Sequence, residues 1–193
     1  MRLFIASFFS DVMLDWLMES GLALSELFPA RALRLTNREN LHLTFQFLGE
    51  VQGSRLGQIS SAIEEAMSDE EEFVVHPGLI GVFPNKFRPR TLWIGLEPAV
   101  KFQFLAKKIN RSLEKVVHAD AKRFLPHVTL GRFNEEHPAL ATVDPTKVIL
   151  PPFKISDQDR MINTVSVCRS ELTPRSPIYS ELSHIDLHNY AKL

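Results

Sequence analysis

The chain has 193 residues, 45% of them hydrophobic, and a formal net charge of −1. That is enough apolar material for a packed core in one domain or two small lobes, which excludes a disordered chain; it is too little positive charge for a protein that coats nucleic acid, so an anionic ligand must be held locally. The single cysteine, Cys168, excludes an internal disulfide and a Cys-Cys zinc site and reads as a buried, inert thiol.

Arg2–Phe8 reads as an opening strand. Asp11 is the expected N-cap of a helix that runs to Leu27 with Val12, Leu14, Leu17, Met18 and Leu22 at helical spacing, and Pro29 closes it. The apolar opening is too short and too soon acidic for a signal peptide, and no run approaches the roughly 18 apolar residues of a membrane span, so the expectation is a soluble cytoplasmic protein. Asn40–Leu48 alternates: Leu41, Leu43, Phe45 and Phe47 are expected on the core face, His42, Thr44 and Gln46 on the other. Gly57–Met67 reads as helix, and the acidic run at 68–73 as a solvated loop. Phe73–Val82 and Arg90–Leu96 read as strands around the loop FPNKFRPR. That loop interleaves Lys86, Arg88 and Arg90 with Phe87, as a single-strand nucleic-acid loop does, although a plain solvated turn fits equally. Ala99–Val117 is the longest amphipathic helix, with Phe102, Leu105, Ile109, Leu113 and Val116 inward. His127–Phe133 is a strand, Pro138–Asp157 irregular, and Arg160–Ser170 and Ser183–Leu187 late strands.

The strand NLHLTFQF at Asn40–Phe47 and the strand PHVTLGRF at Pro126–Phe133 both carry His-apolar-Thr-apolar, and His127 follows His42 by 85 residues. At this composition roughly 0.06 copies are expected by chance, and two copies in about one chain in 500. Each copy ends a strand-helix-strand unit, which points to a duplicated α+β architecture with an approximate two-fold axis and the two His strands facing one groove. In a strand, residues two apart share a face, so His42 points with Thr44 and His127 with Thr129. Imidazole titrates near neutrality, so one ring can accept a proton while the other donates one. Threonine hydroxyls donate to the oxygens of an anion. These are the parts for in-line attack at phosphorus without a metal.

The stretches RLFIA, ENLHLTFQFLGEV, GVFPNKFRPRTLWIGLE, RFLPHVTLGR and SELTPRSPIYSEL resemble the RNA 2′,3′-cyclic phosphodiesterases long called 2′-5′ RNA ligases, a family of two-histidine phosphoesterases. The resemblance spans nearly the whole chain and implies a bilobal α+β fold, two antiparallel sheets lining a central cleft with helices outside, as one domain over residues 1–193. It implies hydrolysis of RNA 2′,3′-cyclic phosphate ends to 2′-phosphates without a cofactor, with any ligation as the reversal of cyclic-phosphate opening. It assigns His42 as proton donor, His127 as proton acceptor, and Thr44, Thr129 and Arg132 to the phosphate. Two departures stand out: Phe45 where leucine is usual, and SFFSD after the first strand. Strict alternation would turn Arg132 away from His127, and only a bulge or twist at Gly131 would bring it into the cleft.

His184 and His188 have i,i+4 spacing, but a zinc protease's glutamate is missing and the segment reads as strand, so no metal is expected; His76, His118 and His137 read as surface residues. No phosphate-binding glycine loop occurs, so ATP or dinucleotide use has no local support. The expected partner is RNA with a 2′,3′-cyclic phosphate end or a related nucleotide, bound by a monomer away from membranes. The rival readings are a cyclic phosphodiesterase for small nucleotides such as ADP-ribose cyclic phosphate, and a non-catalytic RNA-end or nucleotide-binding module.

Overall fold

The computed structural model describes residues 1–117, 124–134, 149–174 and 176–189. His118, His137 and the first part of the Pro138–Asp157 stretch lie outside the described residues. The elements are β1 (Arg2–Ser7), α1 (Asp11–Ser25), β2 (Leu33–Leu35), β3 (Leu43–Glu50), α2 (Leu56–Met67), β4 (Phe73–Val74), β5 (His76–Phe83), β6 (Thr91–Glu97), α3 (Ala99–Leu113), β7 (His127–Phe133), β8 (Met161–Ile162), β9 (Thr164–Glu171) and β10 (Ile178–Asp186).

The strands form two antiparallel halves. One runs β10-β9-β1-β3; the other runs β5-β6-β7, with β2 on the free part of β7's inner edge. The halves meet where β3 and β7 pair through a single register pair, Leu43 with Val128. These two residues are themselves 85 apart, so the join sits on the two-fold axis expected from the duplicated motif. β4 and β8 make a separate two-stranded sheet.

One contiguous core lies under the helices. α1 buries Met13, Trp16, Leu17 and Leu24, α2 buries Ile59, Ile63 and Met67, and α3 buries Phe102, Leu105, Ile109 and Leu113. The helices cross between halves: α1 packs on β2 and β7, and α3 on β3 as well as β6. This interlock holds the halves together where the backbone ladder does not. Leu3–Ala6 of β1 is an unbroken apolar run because both its faces are covered. Leu3 and Ile5 enter the main core, while Phe4 and Ala6 join Cys168, Phe8 and Tyr179 in a smaller cluster. Cys168 is buried as expected, and burial pushes its thiol up to about 12, which leaves it protonated and inert.

Three local expectations change. The N-cap of α1 is Ser10, whose Oγ accepts the Met13 N–H at 3.2 Å; Asp11 is the first helical residue and pairs instead with Arg38. The acidic run is not wholly solvated: Glu70 is buried, and its carboxylate receives Lys101 Nζ at 2.9 Å and Lys108 Nζ at 2.7 Å. Burial works to raise that carboxyl, but the two ammonium groups outweigh it and hold it below the usual range. The last strand starts at Ile178 rather than Ser183, because its alternation of polar and apolar residues is weak on an exposed edge. Among the described residues no helix is long and apolar enough to cross a membrane.

Candidate active site

At the join of the halves, Leu43 and Val128 are fully buried in the core. Their neighbours in each strand therefore point to the opposite face. His42, Thr44, His127 and Thr129 all line one cleft of about 1350 Å³. β3 and β7 run antiparallel away from the axis, so the outgoing half of β7 lies alongside the residues that precede Leu43, next to His42.

Both imidazoles are held in the same way. His42 Nδ1 lies 2.7 Å from the Asn40 carbonyl oxygen, and His127 Nδ1 lies 2.7 Å from the Leu125 carbonyl oxygen. A carbonyl only accepts, so each Nδ1 carries the proton and each neutral ring keeps its lone pair on Nε2. Aromatic walls stand around both rings. His42 touches Phe4, Phe8 and Tyr179 at centroid distances of 5.2, 6.0 and 5.0 Å. His127 touches Phe83 at 5.1 Å and Trp93 at 5.9 Å. Those walls exclude water and disfavour the charged ring. His42 is pushed down to about 4, by burial first, with the carbonyl hydrogen bond opposing and the charge of His127 adding to the fall. Burial also lowers His127, against its own carbonyl bond. In the free protein at neutral pH both rings are neutral, and His42 is the harder to protonate, chiefly because it is the more deeply buried, with the charge of His127 adding to the effect.

At the fourth motif residue both strands slip by one. In β3, Ile5 pairs with Gln46 and Ala6 with Thr44, which skips Phe45. In β7, Leu92 pairs with Gly131 and Trp93 with Thr129, which skips Leu130. A bulge changes which face the following residues present. Arg132 therefore lines the cleft with His127 and Thr129, where strict alternation would have turned it to the core. The matching slip corrects the first strand: Phe47, expected inside, is 64% exposed and lines the cleft, while Gln46, expected on the open face, is buried. Phe45 faces the core as expected. The two half-sites thus share His, Thr, carbonyl and bulge, and differ at the sixth position, which is Phe47 in one and Arg132 in the other.

All five expected site residues share this cleft. Arg34, Asn40, Phe83 and Tyr179 also line the cleft and are not among the site residues expected from the sequence. Asn40 is recoverable, because it stands 85 residues before Leu125 and both offer a carbonyl to a histidine. Its Nδ2 also donates to the Pro177 carbonyl oxygen at 3.0 Å, which pins the approach to β10 against His42. Burial raises the Tyr179 phenol, so its hydroxyl remains protonated. The other histidines lie elsewhere: His76 contacts Arg160, His184 pairs with Glu181 at 3.2 Å, and His188 Nε2 meets the Ser68 carbonyl oxygen. In the loop FPNKFRPR, the Asn85 side chain accepts the Phe87 and Arg88 N–H groups, and Lys86 lies over the Phe87 ring.

A family model described as LigT like Phosphoesterase matches residues 22–93, which hold the first motif. An RNA 2′,3′-cyclic phosphodiesterase of Archaeoglobus fulgidus is 29% identical over 182 residues, covering 94% of this chain and 98% of the relative. One of Aquifex aeolicus is 30% identical over 145 residues, covering 74% of this chain and 75% of the relative. A crystal structure of a Thermus thermophilus protein superposes with a TM-score of 0.79 at 26% identity, covering 97% of this chain and 98% of that one. Apo E. coli LigT, at 21% identity, shares the fold with a TM-score of 0.75 over 97% of this chain and 98% of that one.

Proposed function

The chain belongs to the LigT-like RNA 2′,3′-cyclic phosphodiesterase family and is a phosphodiesterase, and from that premise we propose that it opens RNA 2′,3′-cyclic phosphate ends to 2′-phosphates by histidine acid-base catalysis without a metal. The observation that carries the proposal is the pair of imidazoles with Nδ1 locked on carbonyls, both lining one cleft across an approximate two-fold axis. In-line displacement needs a base on one side of phosphorus and an acid on the other, and this arrangement supplies both.

His127 Nε2 takes a proton from water as the water oxygen bonds to phosphorus. The P–O3′ bond breaks, and His42, protonated at Nε2, gives its proton to O3′. Thr44, Thr129 and Arg132 bind the phosphoryl oxygens as negative charge builds on them. The anionic substrate favours the imidazolium, which offsets the burial that keeps His42 neutral in the free protein. With an RNA 5′-hydroxyl in place of water the same step joins two ends through a 2′-5′ linkage, and its reversal cleaves that linkage. Both half-sites come from one chain, which favours a single bilobal unit over residues 1–193 acting as a monomer, and an RNA substrate suits a cytoplasmic enzyme. Two titrating rings favour an enzyme over a binding module, since binding alone has no use for a proton donor opposite an acceptor.

The test is incubation with an oligonucleotide ending in 2′,3′-cyclic phosphate in excess EDTA. The expected product is the 2′-phosphate, at the rate seen without chelator. Complete loss in chelator that zinc or manganese restores would reject the mechanism.

A further inference from the structure

We propose that Arg34 is a second phosphate-binding residue, which holds the 5′-phosphoryl group of the reacting nucleotide and so selects RNA ends over nucleosides that carry only the cyclic phosphate. The proposal rests on the reading of the cleft as a cyclic phosphodiesterase site.

Arg34 is the middle residue of β2 and pairs in register with Arg132 of β7. Residues directly opposite in an antiparallel pair share a face with Cβ atoms about 5 Å apart. Arg34 and Arg132 are both exposed, and both line the cleft. The close approach of β2 is built into the strand: a Cβ at Gly131 would lie 2.9 Å from the Arg34 carbonyl oxygen and 3.0 Å from Leu33 Cδ1. Glycine at 131 therefore admits β2 and sets the second guanidinium beside the first. The register thus presents two guanidinium groups side by side on the cleft, an arrangement suited to phosphate oxygens.

The charge count assigns the anion. A 2′,3′-cyclic phosphate carries one negative charge. A second negative charge builds there as the water oxygen adds, and Arg132 with the imidazolium of His42 already matches the two, so a third cation has nothing further to neutralise at the reacting phosphorus. The position assigns the group. Arg132 and Arg34 lie at the His42 end of the cleft, because β7 and the segment leading from β2 to β3 run antiparallel there. His42 protonates O3′, so the ribose lies at this same end. The next phosphate along the RNA hangs from that ribose through O5′, on the side where Arg34 stands. The chain's net charge of −1 gives no general attraction for RNA, which leaves such local cations to supply it.

Binding of three ligands tests this without turnover: adenosine 2′-phosphate, adenosine 2′,5′-bisphosphate and a dinucleotide ending in 2′-phosphate. The wild type is expected to bind the second and third about tenfold more tightly than the first, through one added charge-assisted contact. The added contact should make the affinity for the second and third fall more steeply with salt than the affinity for the first, as screening weakens an added ion pair. Arg34→Gln should erase both differences and leave the affinity for adenosine 2′-phosphate within about twofold, which also shows that the site is folded; Arg34→Lys should keep part of the preference. Preference for the bisphosphate but not for the dinucleotide overturns the role in RNA. An undiminished preference in Arg34→Gln, or equal loss for all ligands with Arg34→Lys no better, overturns the proposal. A wild type that binds all three alike rejects this inference alone; one that binds none rejects the cyclic phosphodiesterase reading as well.

Discussion

The carbonyls of Asn40 and Leu125 fix a tautomer as well as a position. By accepting Nδ1–H they turn each Nε2 into the group that trades protons with the substrate, and mutation of either histidine should expose that role. His42→Ala and His127→Ala are each expected to lower kcat by about 10²–10⁴, the worth of one general acid or base. Since both act in one step, the double variant should fall far short of the product of the single losses; single-turnover kinetics on a cyclic-phosphate oligonucleotide would show it, and wild-type turnover in either single variant would break the pairing. The neutral state of His42 also carries a stability signature. In the unfolded chain the ring protonates near 6.5, while in the fold it stays neutral down to about 4. Between those values the unfolded state binds more protons, so stability rises with pH there, is fully present above 6.5, and is lost as pH falls toward 4. His42→Gln should flatten the pH dependence of urea unfolding in that window by up to one proton; an unchanged slope would show that the ring is not held neutral.

At the scale of elements, the paired bulges decide what the cleft contains. They turn Phe47 and Arg132 outward from strands whose alternation would bury them. Phe47→Ala should therefore change the stability measured by urea unfolding by only about 0.5 kcal/mol, as an exposed site does. A loss of about 3–5 kcal/mol, the usual result for a core phenylalanine, would place the ring inside and remove the bulge from the account. The bulges also mark where the sequence stops being legible. His42, Thr44, His127 and Thr129 precede the slip, so alternation alone puts them on one face. Arg132 and Phe47 follow it, and nothing in TLGRF or TFQF reveals that two residues share one step of the ladder. Local hydrogen bonding hides in the same way: Ser10 and Asp11 are both good caps, and backbone geometry chooses between them. The short β2 escapes notice because three residues carry no periodicity, and with it went Arg34.

For the whole molecule, the offset of 85 was readable and organises everything around the axis, from the carbonyl acceptors through the motif to the bulges. What it could not give is the exchange of helices between halves, which depends on α1 and α3 packing across the join. Nor could it give the depth of the aromatic walls, assembled from β1, β5, β6 and β10. Those walls set the protonation of the pair, and the central claim is that this pair does the chemistry. The direct measurement is the pH dependence of kcat/KM on a cyclic-phosphate oligonucleotide, for the wild type and each histidine variant. Burial lowers both rings in the free protein, so kcat/KM should trace a bell whose maximum lies below pH 6.5, with two apparent values that belong to the pair. The basic limb of kcat should sit at higher pH, because bound phosphate favours the imidazolium. Replacing His127 should remove the acidic limb of the residual activity, and replacing His42 the basic limb. A flat wild-type profile from about pH 5 to 9, with chemistry shown to limit the rate, would contradict two-histidine catalysis.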